Sequence, residues 1–175
     1  SYCEEMMKVL PEPSLVWRYM LALTQIPRGS NMGDELWRHI KVRDFLKAEA
    51  EKLGCETYVD KGENLIVRKA AYPGCENKPV VCLQCHMDMV VQKDDDIDID
   101  LGTDPLTPRI VDGKYLMATG TSLGADDGAG VATAFAILAD KTIKLGPLEV
   151  LVTRDEETGM YGAAGLEPGI LKAQY

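Results

Sequence analysis

The sequence predicts an α/β fold, a three-layer sandwich built around a mixed, largely parallel central sheet. Two nearly unbroken apolar runs, PVVCLQC at 79–85 and PLEVLVT at 147–153, have the composition of strands covered on both faces, and such strands belong to helix-flanked sheets. Between them an apolar helix is expected from about Asp127 to Leu138, so strand, helix and strand form a crossover unit with parallel strands. The 175 residues, 46% of them hydrophobic, suffice for one domain with its own core.

The remaining elements follow in chain order. Residues 13–24 and 34–53 carry apolar side chains at helical spacing; Ser30, Asn31 and Asp34 lead into the second helix and Gly54 stops it. Val42, Leu46 and Leu53 form its buried stripe, and His39 falls on the same spacing, as a boundary residue rather than a metal ligand. Glu56 to Val59 and Asn64 to Lys69 read as a hairpin closed by Lys61-Gly62-Glu63. Residues 92–108 form a polar loop with six aspartates, followed by a second hairpin around Val111 to Lys114. The loop is no EF-hand: counted from Asp96, Leu101 stands where glycine is needed and Thr107 where a bidentate Glu is needed.

Charge and cysteine content narrow the function. With 28 acidic and 19 basic residues the net charge is −9, which repels nucleic acid. No apolar run approaches the roughly 20 residues of a membrane span, and the first 14 residues lack a signal core, so the expected location is cytoplasmic. Five cysteines are expected as reduced thiols. Cys82-Leu-Gln-Cys85-His86 matches a haem-attachment pattern, but on a strand the two thiols point to opposite faces, which argues against that reading.

The candidate chemistry lies at the ends of the two apolar strands, where open α/β sheets gather reacting groups. His86 and Asp88 follow the first; at positions i and i+2 they share a side, so Asp88 can hold the tautomer of a metal-bound His86. Asp155, Glu156 and Glu157 leave the second. Asp126 and Asp127 open the intervening helix, where one Asp suffices as a cap and the flanking glycines let the backbone come close to something. Imidazole nitrogen and carboxylate oxygens of this kind suit a pair of divalent cations, with one Glu left as a base.

The motifs CHMDMVVQK, GTSLGADDGAG and GPLEVLVTRDEETGM, with QIPRGS and ENLIVRKA before them, resemble the N-terminal part of aminoacylhistidine dipeptidases, within the zinc aminopeptidase-like group. The resemblance implies that His86 binds one metal, Asp126 bridges two and Glu157 binds the second. It also makes Glu156 the general base for an activated water, Asp88 the carboxylate orienting His86, and the Asp126-Asp127 peptide bond cis. Two divalent ions are implied, zinc with Mn2+ or Co2+ as alternatives, and a dipeptide substrate of Xaa-His type. The family's further ligands, an Asp and a His, fall beyond Tyr175. Residues 1–175 are therefore expected to be the N-terminal part of the catalytic domain, with the lid or dimerisation domain and the rest of the catalytic domain outside this chain, the intact protein a homodimer, and this portion alone weak in zinc binding and activity. A related N-acyl amino acid deacylase and a non-catalytic binding module on the same scaffold are the alternatives.

Overall fold

The computed structural model describes residues 2–31 and 38–175. Helices α1 (Tyr2–Met7), α2 (Ser14–Thr24) and α3 (Ile40–Lys52) precede a hairpin of β1 (Glu56–Val59) and β2 (Leu65–Lys69). β3 (Val81–His86), a hairpin of β4 (Pro108–Val111) and β5 (Tyr115–Ala118), α4 (Ala125–Ala139), β6 (Leu148–Thr153) and α5 (Tyr161–Ala164) complete the order. The expected helix over 34–53 is present from Ile40; its start at Asp34 lies outside the described residues. The Ser30 hydroxyl is no helix cap: it is bonded to Asp88 and to Met89 O instead.

The main sheet has the order β1-β2-β6-β3. It is mixed, but the expectation of a largely parallel sheet is wrong: β1–β2 and β2–β6 are antiparallel, and the parallel pairing among the described strands is β3–β6. The two apolar runs do pair in parallel around α4. What inverts the balance is the hairpin, whose short turn forces β1 and β2 antiparallel and whose second strand inserts beside β6. β6 is thereby flanked on both sides and every one of its residues is buried. β3 is the sheet's margin instead, and its first half, with Val81 38% exposed, is not buried on both faces as its composition suggested. Its outer side receives Gln174 N–H on Val80 O and gives Cys82 N–H to Tyr175 O.

One core fills the space between sheet and helices. Leu65 and Val67 from β2, Val150 and Val152 from β6 and Cys85 from β3 meet Met20 and Leu23 of α2, Val42 and Leu46 of α3, and Val131 and Phe135 of α4. Phe135 stacks edge-on against Tyr19, ring centres 5.6 Å apart. On the opposite face Glu149, 2% exposed, pairs with Arg68 at 3.0 Å and accepts Lys172 N–H, so the segment after α5 crosses that side. The core therefore fixes β3, α4 and β6 against one another, and their adjoining ends carry the acidic and imidazole groups. Among the described residues no helix is long and apolar enough to cross a membrane.

Candidate metal centre

His86 ends β3, with its backbone in the parallel ladder opposite Thr153 and its side chain on the face away from the buried Cys85. Its Nδ1 lies 3.1 Å from the Asp88 carbonyl and 3.2 Å from Asp88 Oδ1, so that nitrogen is the donor and Nε2 faces the other way. Nε2 stands 3.0 Å from Asp126 Oδ1 and 3.8 Å from Glu156 Oε2. Burial works to lower the imidazole pKa, but Asp88, Asp126 and Asp127 outweigh it and bring it up to about 9.

Asp88 is 1% exposed and fully used. Its Oδ1 accepts Glu156 N–H at 3.0 Å, and its Oδ2 accepts Glu157 N–H at 3.3 Å and the Ser30 hydroxyl at 2.6 Å. Burial alone would raise this carboxyl; the hydrogen bonds from His86, Ser30 and the two amides pull it down to about 2. One carboxylate thus locks His86 and the Glu156-Glu157 turn to each other. Sequence reasoning missed Ser30, whose place before a helix mimicked a capping signal.

The two aspartates that open α4 divide their labour. Asp127 Oδ1 accepts Gly130 N–H at 3.1 Å, the work of a cap, and its Oδ2 accepts His86 N–H at 3.2 Å. Asp126 makes no such bond to the helix: its backbone is non-helical, the Asp126-Asp127 peptide bond is cis, and its side chain is 82% exposed toward His86. At the end of β6, Asp155 takes a left-handed backbone with φ 49 and is 1% exposed. It accepts Asn31 N–H at 2.8 Å and pairs with Arg154 at 2.7 Å, so of the three consecutive acids one is structural and two face the crevice.

The structure brings His86, Asp126 and Glu157 together, with one ligand atom from each lying within 4.8 Å of the others. Glu156 stands beside them and Asp88 behind. One imidazole nitrogen and two carboxylates are the borderline N/O donors that zinc accepts, and three protein donors leave a fourth position for water or substrate. Desolvation, then the charges of Asp126 and Glu156, raise the pKa of Glu157, a repulsion that a cation among them relieves. The residues fit a divalent ion. Cys82 and Cys85 are free thiols, the second sealed in the core, and take no part. His39 is 3% exposed, 3.3 Å from Glu63, and lies outside this group.

A cation-binding crevice at the adjoining ends of a parallel strand pair is thus the class of site in hand. The model of peptidase family M20/M25/M40 matches residues 82–175, which contain every one of the donors, and the chain belongs to that family. The cytosol non-specific dipeptidase of Escherichia coli is 40% identical over 169 residues, 97% of this chain but 33% of that protein. The aminoacylhistidine dipeptidase of Vibrio alginolyticus superposes with a TM-score of 0.85 at 42% identity, over 93% of this chain and 32% of that one. An aminopeptidase PepT from Bacillus cereus gives 0.71 at 28% identity, over 92% of this chain and 41% of that one. The chain spans about a third of the length of the first two relatives.

Proposed function

We propose that these residues form the N-terminal part of the catalytic domain of a metal-dependent dipeptidase, acting on dipeptides of Xaa-His type. The reading is carried by one observation: His86, Asp126 and Glu157, from three separate elements, converge to within 4.8 Å around a crevice that Glu156 also borders. In the finer form of the proposal, two zinc, manganese or cobalt ions would be held at this cluster by His86, Asp126 and Glu157, the exposed carboxylate of Asp126 being open to both. Bound there, a divalent cation supplies Lewis acidity, polarising a substrate carbonyl and easing deprotonation of water.

The chain's own residues do the rest. Glu156, partly exposed and 3.8 Å from His86 Nε2, is adjacent to the donor set without belonging to it, so its carboxylate can take a proton from the attacking water and pass it to the leaving amine. Asp88 keeps the proton of His86 on Nδ1 and directs Nε2 into the crevice. Through the amides of Glu156 and Glu157 it also fixes where base and ligand stand.

The Xaa-His preference is supported by the likeness to the Vibrio aminoacylhistidine dipeptidase; a second reading, a broader dipeptidase, is supported by the likeness to the non-specific dipeptidase of Escherichia coli. A panel of Xaa-His dipeptides, other dipeptides and N-acetyl amino acids, offered to the full-length protein with Zn, Mn or Co, separates the two readings and tests the deacylase alternative. Glu156→Ala is expected to cut turnover by about 100- to 10,000-fold with metal content unchanged. Near-parental turnover of that variant would remove the base from the proposal.

A further inference from the structure

Arg28, in the loop after α2, is 2% exposed, a burial that for a permanently charged side chain demands compensation. Its guanidinium is directed mainly at backbone carbonyls. Nη1 donates to Met87 O at 3.1 Å and, more weakly, to Asp88 O at 3.5 Å, while Nη2 donates to Gly124 O at 2.7 Å. Met87 stands between His86 and Asp88, and Gly124 stands two residues before Asp126. One planar fork therefore ties the end of β3 to the start of α4, the two segments that present the imidazole and the exposed aspartate.

The glycines that bracket Asp126 and Asp127 have their explanation here. A β-carbon on Gly124 would come within 2.6 Å of Arg28 Nη2, and one on Gly128 within 2.7 Å. Gly124 also has φ +73, which favours glycine on its own account; Gly128 sits in a helix, where alanine is otherwise the better residue. At position 128 the absence of a side chain is therefore specific to the space the guanidinium occupies, with Met20 closing the other side.

We propose that Arg28 is a positioning residue that sets the separation of His86 from Asp126 by clamping the carbonyls of Met87 and Gly124, and that residue 128 is glycine to admit it. The clamp rests on the metal-centre reading above, and Arg28 itself touches neither cation nor substrate. A lysine keeps the charge but lacks the planar fork that reaches two carbonyls at once, so the distinction between charge and geometry is accessible to experiment.

The test uses the full-length protein, with Co2+ affinity measured by chelator competition and the visible ligand-field spectrum recorded for the parent, Arg28→Lys, Arg28→Met and Gly128→Ala. Both Arg28 variants are expected to weaken Co2+ binding by about 10- to 100-fold and to alter the spectrum. Gly128→Ala, which keeps the charge and displaces the guanidinium, is expected to shift both in the same direction by less. Parental affinity and spectrum in Arg28→Lys would show that charge alone suffices and overturn the clamp. If the Arg28 variants do not fold, an unaltered spectrum and affinity in Gly128→Ala overturns it equally. A parent that binds no Co2+ sinks the metal centre, and the clamp with it, an outcome distinct from variants that bind as the parent does.

Discussion

Two stretches of this chain are dense in acid, and they are held in opposite ways. In the loop at 92–108, Asp94, Asp95, Asp96, Asp98, Asp100 and Asp104 are all exposed, and the bonds their carboxylates accept are local: Asp104 takes Asp100 N–H and Asp100 takes Gly102 N–H, four and two residues apart. At 155–157 the bonds reach across the fold. Asp155 takes Asn31 N–H from 124 residues away, and the Glu156 and Glu157 amides bind Asp88 from 68 and 69 residues away. Acid is no scarcer in the loop, which has six carboxylates against three. What distinguishes a candidate cation site is that its carboxylates are placed by a buried framework before any ion arrives, so ordering them costs the ion little.

Breaking that framework should have the largest effect. Asp88→Ala leaves His86, Ser30 and two amides without their common acceptor, and is expected to cost about 3 to 5 kcal/mol in urea unfolding and to weaken metal binding as well. Titration should remove the same contacts more gently. In chelator-stripped protein Asp88, at about 2 when folded against 3.8 ordinarily, contributes stability that is complete above pH 3.8 and lost as pH falls through 2. His86, at about 9 against 6.5, contributes stability that is complete below pH 6.5 and lost as pH rises through 9. Unfolding midpoints followed against pH should decline on both sides, and Asp88→Ala should flatten both limbs.

Asp155→Ala removes the acceptor of Asn31 N–H and the partner of Arg154, for an expected loss of about 2 kcal/mol measured in the same way. Asp96→Asn and Asp98→Asn sharpen the contrast from the other side. Both are exposed, and both should stay within about 0.5 kcal/mol of the parent with metal binding unchanged.

Much of this was legible locally. The turn at Lys61-Gly62-Glu63 marked the β1–β2 hairpin, alternation put Asp88 on the side of His86, and because one aspartate suffices to cap α4 the other stood out as surplus to the helix. The second partner of β2 was not legible, because apolar composition reports burial and says nothing of which neighbour a strand chooses. β2 chose β6, and the sheet became mostly antiparallel. The composition of 79–85 likewise could not separate a central strand from the marginal one that β3 is. Ser30 and Arg28 escaped notice for the same reason: their partners lie 58 to 96 residues away, and nothing in the neighbouring residues announces them.

Cys85 precedes His86 in the chain and faces the other side of the strand. The strand turns the sulfur into the core, where burial and the nearby Asp127 charge keep the thiol protonated, while the imidazole looks out on the crevice. A thiolate would compete with carboxylates for zinc and expose the centre to oxidants. A single peptide step therefore keeps the candidate cation site, with its nitrogen and oxygen donors, apart from the neighbouring sulfur.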